Sequence, residues 1–184
     1  MTYITSEELS DLSVLAKGEY EECIFRNCHF LQTDLSGFIF TDCTFIECDL
    51  SNAQLIDTAF RDVVFKNCKM IGLQFNDCRT FSLSFRFKGC ILDYSSFYKL
   101  QIKKTNFEGC RMTEVDFTEA VLSESLFEDV DLSGAVFDHC NLDKVDFTSA
   151  KNFAIDPELN SIRKAKFSTT GLVGLLYKYN IVVH

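Results

Sequence analysis

The chain has 184 residues, of which 27 are Asp or Glu and 18 are Lys or Arg, with 19 Phe, one Pro and no Trp. That length fits one domain with a sizeable interior, and a formal net charge of −9 with no basic face along the chain disfavours direct nucleic-acid binding. No apolar run approaches the roughly 20 residues that cross a membrane and the N-terminus lacks a signal-peptide pattern, so no membrane association and a cytoplasmic location are expected.

Residues 1–18 follow no pattern and are expected to cap what comes next, with Thr2–Ile4 as a strand and Ser6-Glu7-Glu8-Leu9 opening a short helix. From 19 to 150 the chain repeats with a period of five. Thr33-Asp34-Leu35-Ser36-Gly37, Val115-Asp116-Phe117-Thr118-Glu119 and Val130-Asp131-Leu132-Ser133-Gly134 are near copies. The large apolar position, here called the centre, falls at 20, 25, 30 and onward in fives to 85, then from 92 to 147. Of these 26 slots only Thr80 lacks a large apolar residue. A helix would recur at 3.6 and a flat strand at 2, so a fixed period of five argues for a solenoid.

These residues resemble a pentapeptide-repeat protein. The resemblance implies an all-β fold, a right-handed quadrilateral β-helix with four pentapeptides per coil. In such a helix the centre and the residue two before it point inward. Residues about twenty apart then stack, and the sequence shows the columns. One reads Phe25, Phe45, Phe65, Phe85, Phe107, Phe127, Phe147; its neighbour reads Phe30, Leu50, Met70, Leu92, Met112, Leu132. A third reads Leu35, Leu55, Phe75, Phe97, Phe117, Phe137. The repeats make about 6.5 coils, a rod roughly 30 Å long at ~4.8 Å per strand.

The all-Phe column survives the break at 86–91 only if two residues are inserted there, so a bulge is expected at Arg86-Phe87-Lys88-Gly89 with Gly89 at positive φ. Arg86, Phe87 and Lys88 form a candidate contact bulge in the one basic zone, residues 86–105, where five basic groups face a single acid, Asp93. A contact point and a solvated corner both fit it.

The nine cysteines, Cys23, Cys28, Cys43, Cys48, Cys68, Cys78, Cys90, Cys110 and Cys140, all occupy the slot two before a centre. There Cys serves as a small buried hydrophobe. Stacked neighbours have parallel Cβ vectors near ~4.8 Å apart, against the ~3.8 Å of a disulfide, so reduced thiols are expected. Zinc ligands sit in converging pairs, and spacings of five or twenty do not converge, so no metal or cofactor is expected.

Residues 106–147 carry eleven acids (Glu108, Glu114, Asp116, Glu119, Glu124, Glu128, Asp129, Asp131, Asp138, Asp143 and Asp146) against Arg111 and Lys144, a net of −9. They are spread over all four faces of the implied rod. A surface this acidic suits a protein partner built to bind negative charge, and it equally suits a solvated, aggregation-resistant exterior.

Residues 151–184 leave the repeat at Asn152–Pro157 and form the C-terminal cap and dimerisation tail. Ser168-Thr169-Thr170 suits a helix N-cap, and Leu172, Leu175, Leu176 and Tyr179 make an apolar stripe on one helical face. Ile181-Val182-Val183 reads as a strand. Pairing of two copies through Leu172, Leu175, Leu176, Tyr179, Ile181 and Val183 would bury the surplus apolar surface.

Asp156-Pro157-Glu158-Leu159-Asn160, the Gly171–Tyr179 segment and the terminal Ile181-Val182-Val183 are most similar to the pentapeptide-repeat group that protects bacterial type II topoisomerases, the microcin B17 immunity, Qnr and mycobacterial fluoroquinolone-resistance types. That resemblance implies a C-terminal-to-C-terminal homodimer, mimicry of B-form DNA, and DNA gyrase or topoisomerase IV as partner. The projecting loops of Qnr proteins are absent here, which places the chain nearer the loopless immunity type. The alternative is a structural or interaction scaffold with an unrelated protein partner. Catalysis finds no constellation: His29 and His139 each adjoin a Cys, but adjacent residues of an extended segment point to opposite faces. No phosphate loop, Ser-His-Asp set or HExxH motif is present. A non-catalytic protein is expected.

Overall fold

The computed structural model describes residues 2–182, and over that span the chain winds into a four-sided rod of parallel strands. Side 1 carries a four-stranded sheet of β1 (Thr2–Thr5), β3 (Gly18–Glu21), β5 (Ile39–Thr41) and β7 (Ala59–Arg61). Side 2 carries a nine-stranded sheet of β2 (Glu8–Ser10), β4 (Ile24–Arg26), β6 (Thr44–Ile46), β8 (Val63–Lys66), β9 (Phe85–Lys88), β10 (Asn106–Glu108), β11 (Leu126–Glu128), β12 (Asp146–Phe147) and β13 (Lys166–Phe167). Sides 3 and 4 are joined by single parallel bridges, such as His29↔Asp49↔Lys69 and Ser96↔Asp116↔Val136. Along the repeat the register steps by twenty, as the stacked columns predict.

Nine strands on side 2 make about eight coils and a rod roughly 38 Å long at ~4.8 Å per strand, more than the 6.5 coils counted from the repeat. Both ends supply the difference. Residues 2–15 form a coil of their own, with Ile4 in register with Tyr20 and Leu9 with Phe25. The helix expected from Ser6 is therefore the strand β2. An open coil edge offers unpaired carbonyls, and the N–H groups of Ser6 and Asp11 take those of Glu21 and Arg26 at 2.9 and 3.0 Å. At the other end Phe167 stacks on Phe147 with centroids 5.4 Å apart.

The interior is filled by centres and by the residues two before them. On side 2 successive Phe rings lie 4.5 to 5.4 Å apart and nearly parallel from Phe25 to Phe167. Each such pair contributes about 0.5–1.5 kcal/mol beyond its burial. The slot two before a centre is narrow and faces a carbonyl of the preceding coil, so it favours small donors. Cys48 Sγ reaches Phe25 O at 3.5 Å, Thr58 Oγ1 donates to Leu35 O at 2.8 Å and Ser95 Oγ to Met70 O at 2.9 Å. All nine cysteines are buried free thiols. Burial pushes the Cys43 and Cys140 thiols up to about 12.

The insertion lies elsewhere than expected. In the all-Phe column the ring between Phe65 and Phe107 is Phe87, and Phe85 fills the inward slot two before it. The two extra residues fall within 79–84, where side 1 has no strand. The expected bulge at Arg86-Phe87-Lys88 is thereby overturned, since Phe87 is only 1 % exposed at the centre of β9. Gly89 does take φ +62°, but as one of the regular left-handed corners that recur every five residues. Phe85 and Phe87 are two apart on a strand and both point inward, so the sequence allows either in the column. Thr80, polar and exposed, marks the actual break.

The C-terminal segment also departs from expectation. Thr170–Leu175 and Tyr177–Tyr179 are 3₁₀ helices, and Ile181 and Val182 belong to no strand. Gly171 and Gly174 weaken an α-helix, and the Gly174 carbonyl accepts from Ile155 N–H at 3.0 Å, which ties this segment to the rod end. Val183 lies outside the described residues. No helix is long and apolar enough to cross a membrane among the described residues.

Candidate functional site

The repeat explains part of its own acidity. An Asp just before a centre accepts a hydrogen bond from the N–H two residues on and locks the turn. Asp116 holds Thr118 N at 2.8 Å, Asp131 holds Ser133 N at 3.1 Å and Asp146 holds Thr148 N at 3.0 Å. Hydrogen bonds from Asn152 and Ser133 keep the Asp131 carboxyl below the usual Asp range. Those from Ser161 and Arg163 do the same for Asp143, and Thr148 with Lys166 for Asp146.

Stacking also brings cations of one coil onto acids of the next. Glu108 pairs with Lys88 at 2.6 Å, Glu119 with Lys99 at 3.4 Å and Glu124 with Lys144 at 3.6 Å. Asp143 pairs with Arg163 at 2.9 Å and Asp146 with Lys166 at 3.0 Å. Such exposed pairs each contribute about 0–1 kcal/mol, but they cancel charge locally. Glu114, Asp116, Glu128, Asp129, Asp131 and Asp138 have no Lys or Arg within ion-pair distance among the described residues; Asp138 lies 2.9 Å from His139 Nδ1. These six lie on sides 2, 3 and 4. Side 1 contributes only the paired Glu124 and Asp143.

The bulge at 79–84 carries a feature that sequence reasoning missed. Phe81 stands 75 % exposed, while Leu83 tucks against the core. Arg79 is fixed by a two-pronged bond to Asp57, 2.9 and 2.6 Å. Beside the bulge runs a groove of about 470 Å³ lined by Thr80, Ser82, Leu83, Lys99, Leu100 and Gln101. The polar residue at centre 80 was the available signal for it.

At the C-terminal end Leu172, Leu176, Tyr179 and Ile181 are exposed, whereas Leu175 packs on the core. Gly171 N–H is capped by Ser168 Oγ at 3.0 Å. Lys178 Nζ anchors the segment on Asp156 at 2.8 and 3.0 Å and on Glu158 at 2.7 Å. Asn160 fills the inward slot of the last coil, its Oδ1 accepting from Cys140 N–H at 2.8 Å and its Nδ2 donating to Phe137 O at 3.0 Å. Asp156, Glu158 and Asn160 thus join the tail to the rod. Among the described residues no three His, Cys, Asp or Glu side chains are placed to hold a metal, and His29 is exposed while Cys28 is buried.

A sequence model described as the pentapeptide repeat region matches residues 19–97, 83–152 and 101–175. The chain belongs to the pentapeptide-repeat family. Among solved structures, this pentapeptide-repeat chain is similar to a trypsin-treated form of QnrB1, a plasmid-mediated fluoroquinolone resistance protein, at 19% identity over 100% of both chains with a TM-score of 0.66. It is also similar to HetL, a pentapeptide repeat protein involved in heterocyst differentiation regulation from the cyanobacterium Nostoc sp. strain PCC 7120. That match has 15% identity, covers 89% of this chain and 84% of that one, and has a TM-score of 0.52. At these identities the likeness is one of fold. No curated protein matches the chain.

Proposed function

We propose that this pentapeptide-repeat rod is a non-catalytic binding module that engages bacterial DNA gyrase or topoisomerase IV in place of DNA and protects it from a toxin or quinolone-type drug. The observation that carries the reading is the set of carboxylates on sides 2, 3 and 4 with no Lys or Arg within ion-pair distance among the described residues, held on a rod with a filled core. Carboxylates recur from coil to coil, as where Glu108, which is paired with Lys88, and Glu128, which has no Lys or Arg within ion-pair distance among the described residues, stand in register on side 2. A fixed array of negative charge is what a DNA-binding saddle attracts. Fold likeness to QnrB1, a fluoroquinolone resistance protein by name, supports the same direction. Two copies would join through the exposed Leu172, Leu176, Tyr179 and Ile181, placing their acidic coils toward the middle of a longer rod.

The test is gyrase supercoiling titrated with the full chain, with and without a fluoroquinolone or a gyrase-poisoning peptide. Inhibition alone and rescue under poison are expected, both weakening steeply with salt. Glu114→Lys with Glu128→Lys and Asp129→Lys should abolish both. No effect at micromolar protein, or full activity of the charge-reversed variant, would sink the reading. A second reading, a scaffold for an unrelated protein, draws support from the five acids already neutralised by neighbouring coils.

A further inference from the structure

We infer that the groove beside the 79–84 bulge on side 1 docks a short, extended, acidic segment of another protein. The site stands apart from the topoisomerase reading, because it uses a gap in the ladder and cations rather than the acidic coils.

The main-chain geometry comes first. In an intact coil of side 1 the residue before the centre gives both its N–H and its C=O to the coil above. Val121 shows this, donating to Leu100 O at 2.8 Å and accepting from Ile102 N at 3.0 Å. Gln101, in register with Val121 one coil earlier, aims its two groups at the preceding coil. There the bulge has pulled the chain away. Ser84 N–H bonds to Phe60 O at 3.0 Å and Leu83 N–H to Thr80 O at 3.3 Å, and Gln101 has no main-chain partner on that side among the described residues. A free N–H and C=O pair facing a groove is an edge on which an extended peptide can form strand bonds.

The side chains select the occupant. Leu83 and Leu100 supply apolar floor, and Phe81 projects at the rim. Lys103 and Lys104 follow on the same side, both exposed and in no ion pair among the described residues. No acid occupies 94–107; of its three lysines Lys99 is engaged by Glu119 of the next coil at 3.4 Å, which leaves Lys103 and Lys104 as the cations beside the groove. An extended segment alternating acidic and apolar residues meets both demands, apolar toward Leu83 and Leu100 and acidic toward the lysines.

The probe is a fluorescein-labelled octapeptide of alternating Glu and Val, followed by anisotropy on the full chain at low and high salt. Saturable binding is expected at low salt. Lys103→Glu with Lys104→Glu should weaken it about tenfold or more, and Phe81→Ser should weaken it about fivefold. Gln101→Pro should cost a similar factor by deleting the N–H, without unfolding a rod in which that N–H has no partner. Thermal melts accompany each variant, and the lysine pair, being exposed, decides the matter if the proline disturbs the fold. Absence of saturable binding, or binding indifferent to the lysine pair, would overturn the proposal. So would equal binding of a short DNA duplex through the same lysines, which would make the patch a general anion site.

Discussion

Replacing Phe87 by alanine should cost the rod several kilocalories, and replacing Phe81 by serine should cost almost nothing, although the two lie six residues apart around one insertion. Phe87 is 1 % exposed, stacked between Phe65 and Phe107 with centroids 5.4 Å away on each side, and edge-on to Phe75 at 5.7 Å. Removing a buried Phe side chain costs about 3–5 kcal/mol, with the upper part of that range fitting a ring whose neighbours are held by their own coils and cannot close the void. For a chain of this size that is roughly 6–20 °C in Tm. Phe81, 75 % exposed, makes no aromatic pair among the described residues, and Phe81→Ser should shift Tm by about 2 °C or less. Urea unfolding of both variants, read by circular dichroism, measures the contrast. If Phe81→Ser destabilises as much as Phe87→Ala, the inserted residues lie where the sequence alone would place them, and the register derived for β9 is wrong.

The C-terminal cap should be the more fragile end. A methyl group on Gly174 would overlap the Phe153 carbonyl oxygen and come within 2.7 Å of its ring, so Gly174→Ala should release residues 168–182 to fast amide exchange and leave the central coils protected. The Lys178 contact holds Asp156 below the usual Asp range and raises Lys178 above the usual Lys value. Its contribution is therefore present above the ordinary Asp value of about 4 and below the ordinary Lys value of about 10.4, and is lost as pH falls through the lowered Asp156 value or rises through the raised Lys178 value. NMR shifts of Lys178 and Tyr179 should report tail release at both extremes, and Lys178→Met should show it at neutral pH. At the corner residue Tyr94, φ is +60°. Tyr94→Val should destabilise by about 1–2 kcal/mol and Tyr94→Gly should be neutral or better, because a branched Cβ is strained there and glycine is not; equal stability of the two by denaturant titration would contradict the corner geometry.

Most of the rod was legible because one physical demand, filling a four-sided core, repeats every five residues with little interference. Phe97, Phe117 and Phe137 stack as their spacing says, at 5.2 and 5.1 Å, and the Cys28–Cys110 column sits inside as expected. What failed was wherever the period was ambiguous or absent. Phe85 and Phe87 satisfy the inward pattern equally, so only the observed pairing of Phe65 with Phe87 locates the insertion. Ile4 and Leu9 are five apart and continue the repeat backwards, but the coil they begin is sixteen residues deep rather than twenty, which hid it. The tail stripe Leu172, Leu175, Leu176 and Tyr179 has helical spacing, yet bonding of Gly174 to Ile155 imposes a tighter winding that spacing cannot reveal. Anchors such as Lys178 on Asp156 join residues 22 apart whose charges were visible but whose meeting was not.

Charge shows the same limit in a form that bears on function. Counted along the chain, residues 106–147 concentrate the whole net charge of the protein. Stacked into coils, that segment lies between Lys88 and Lys99 on one side and Arg163 and Lys166 on the other, and these four cations, which all lie outside the segment, each reach one of its acids. Lys144, inside the segment, reaches Glu124. A sum over sequence therefore overstates the field, because neighbours in space are twenty residues away in the chain. The negative potential that survives is strongest where no Lys or Arg lies within ion-pair distance among the described residues, over sides 2, 3 and 4 at Glu114, Asp116, Glu128, Asp129 and Asp138, whereas Asp131 stands in register between Arg111 and Lys151. On side 1 the bulge is followed by Lys103 and Lys104, which are in no ion pair among the described residues. A partner drawn by negative charge and one drawn by positive charge would thus approach different sides of the rod, and neither would need the rod to deform. In a solenoid whose core is uniform, such division of the surface among sides is the main freedom a sequence retains, since outward residues can change without disturbing the stack beneath them.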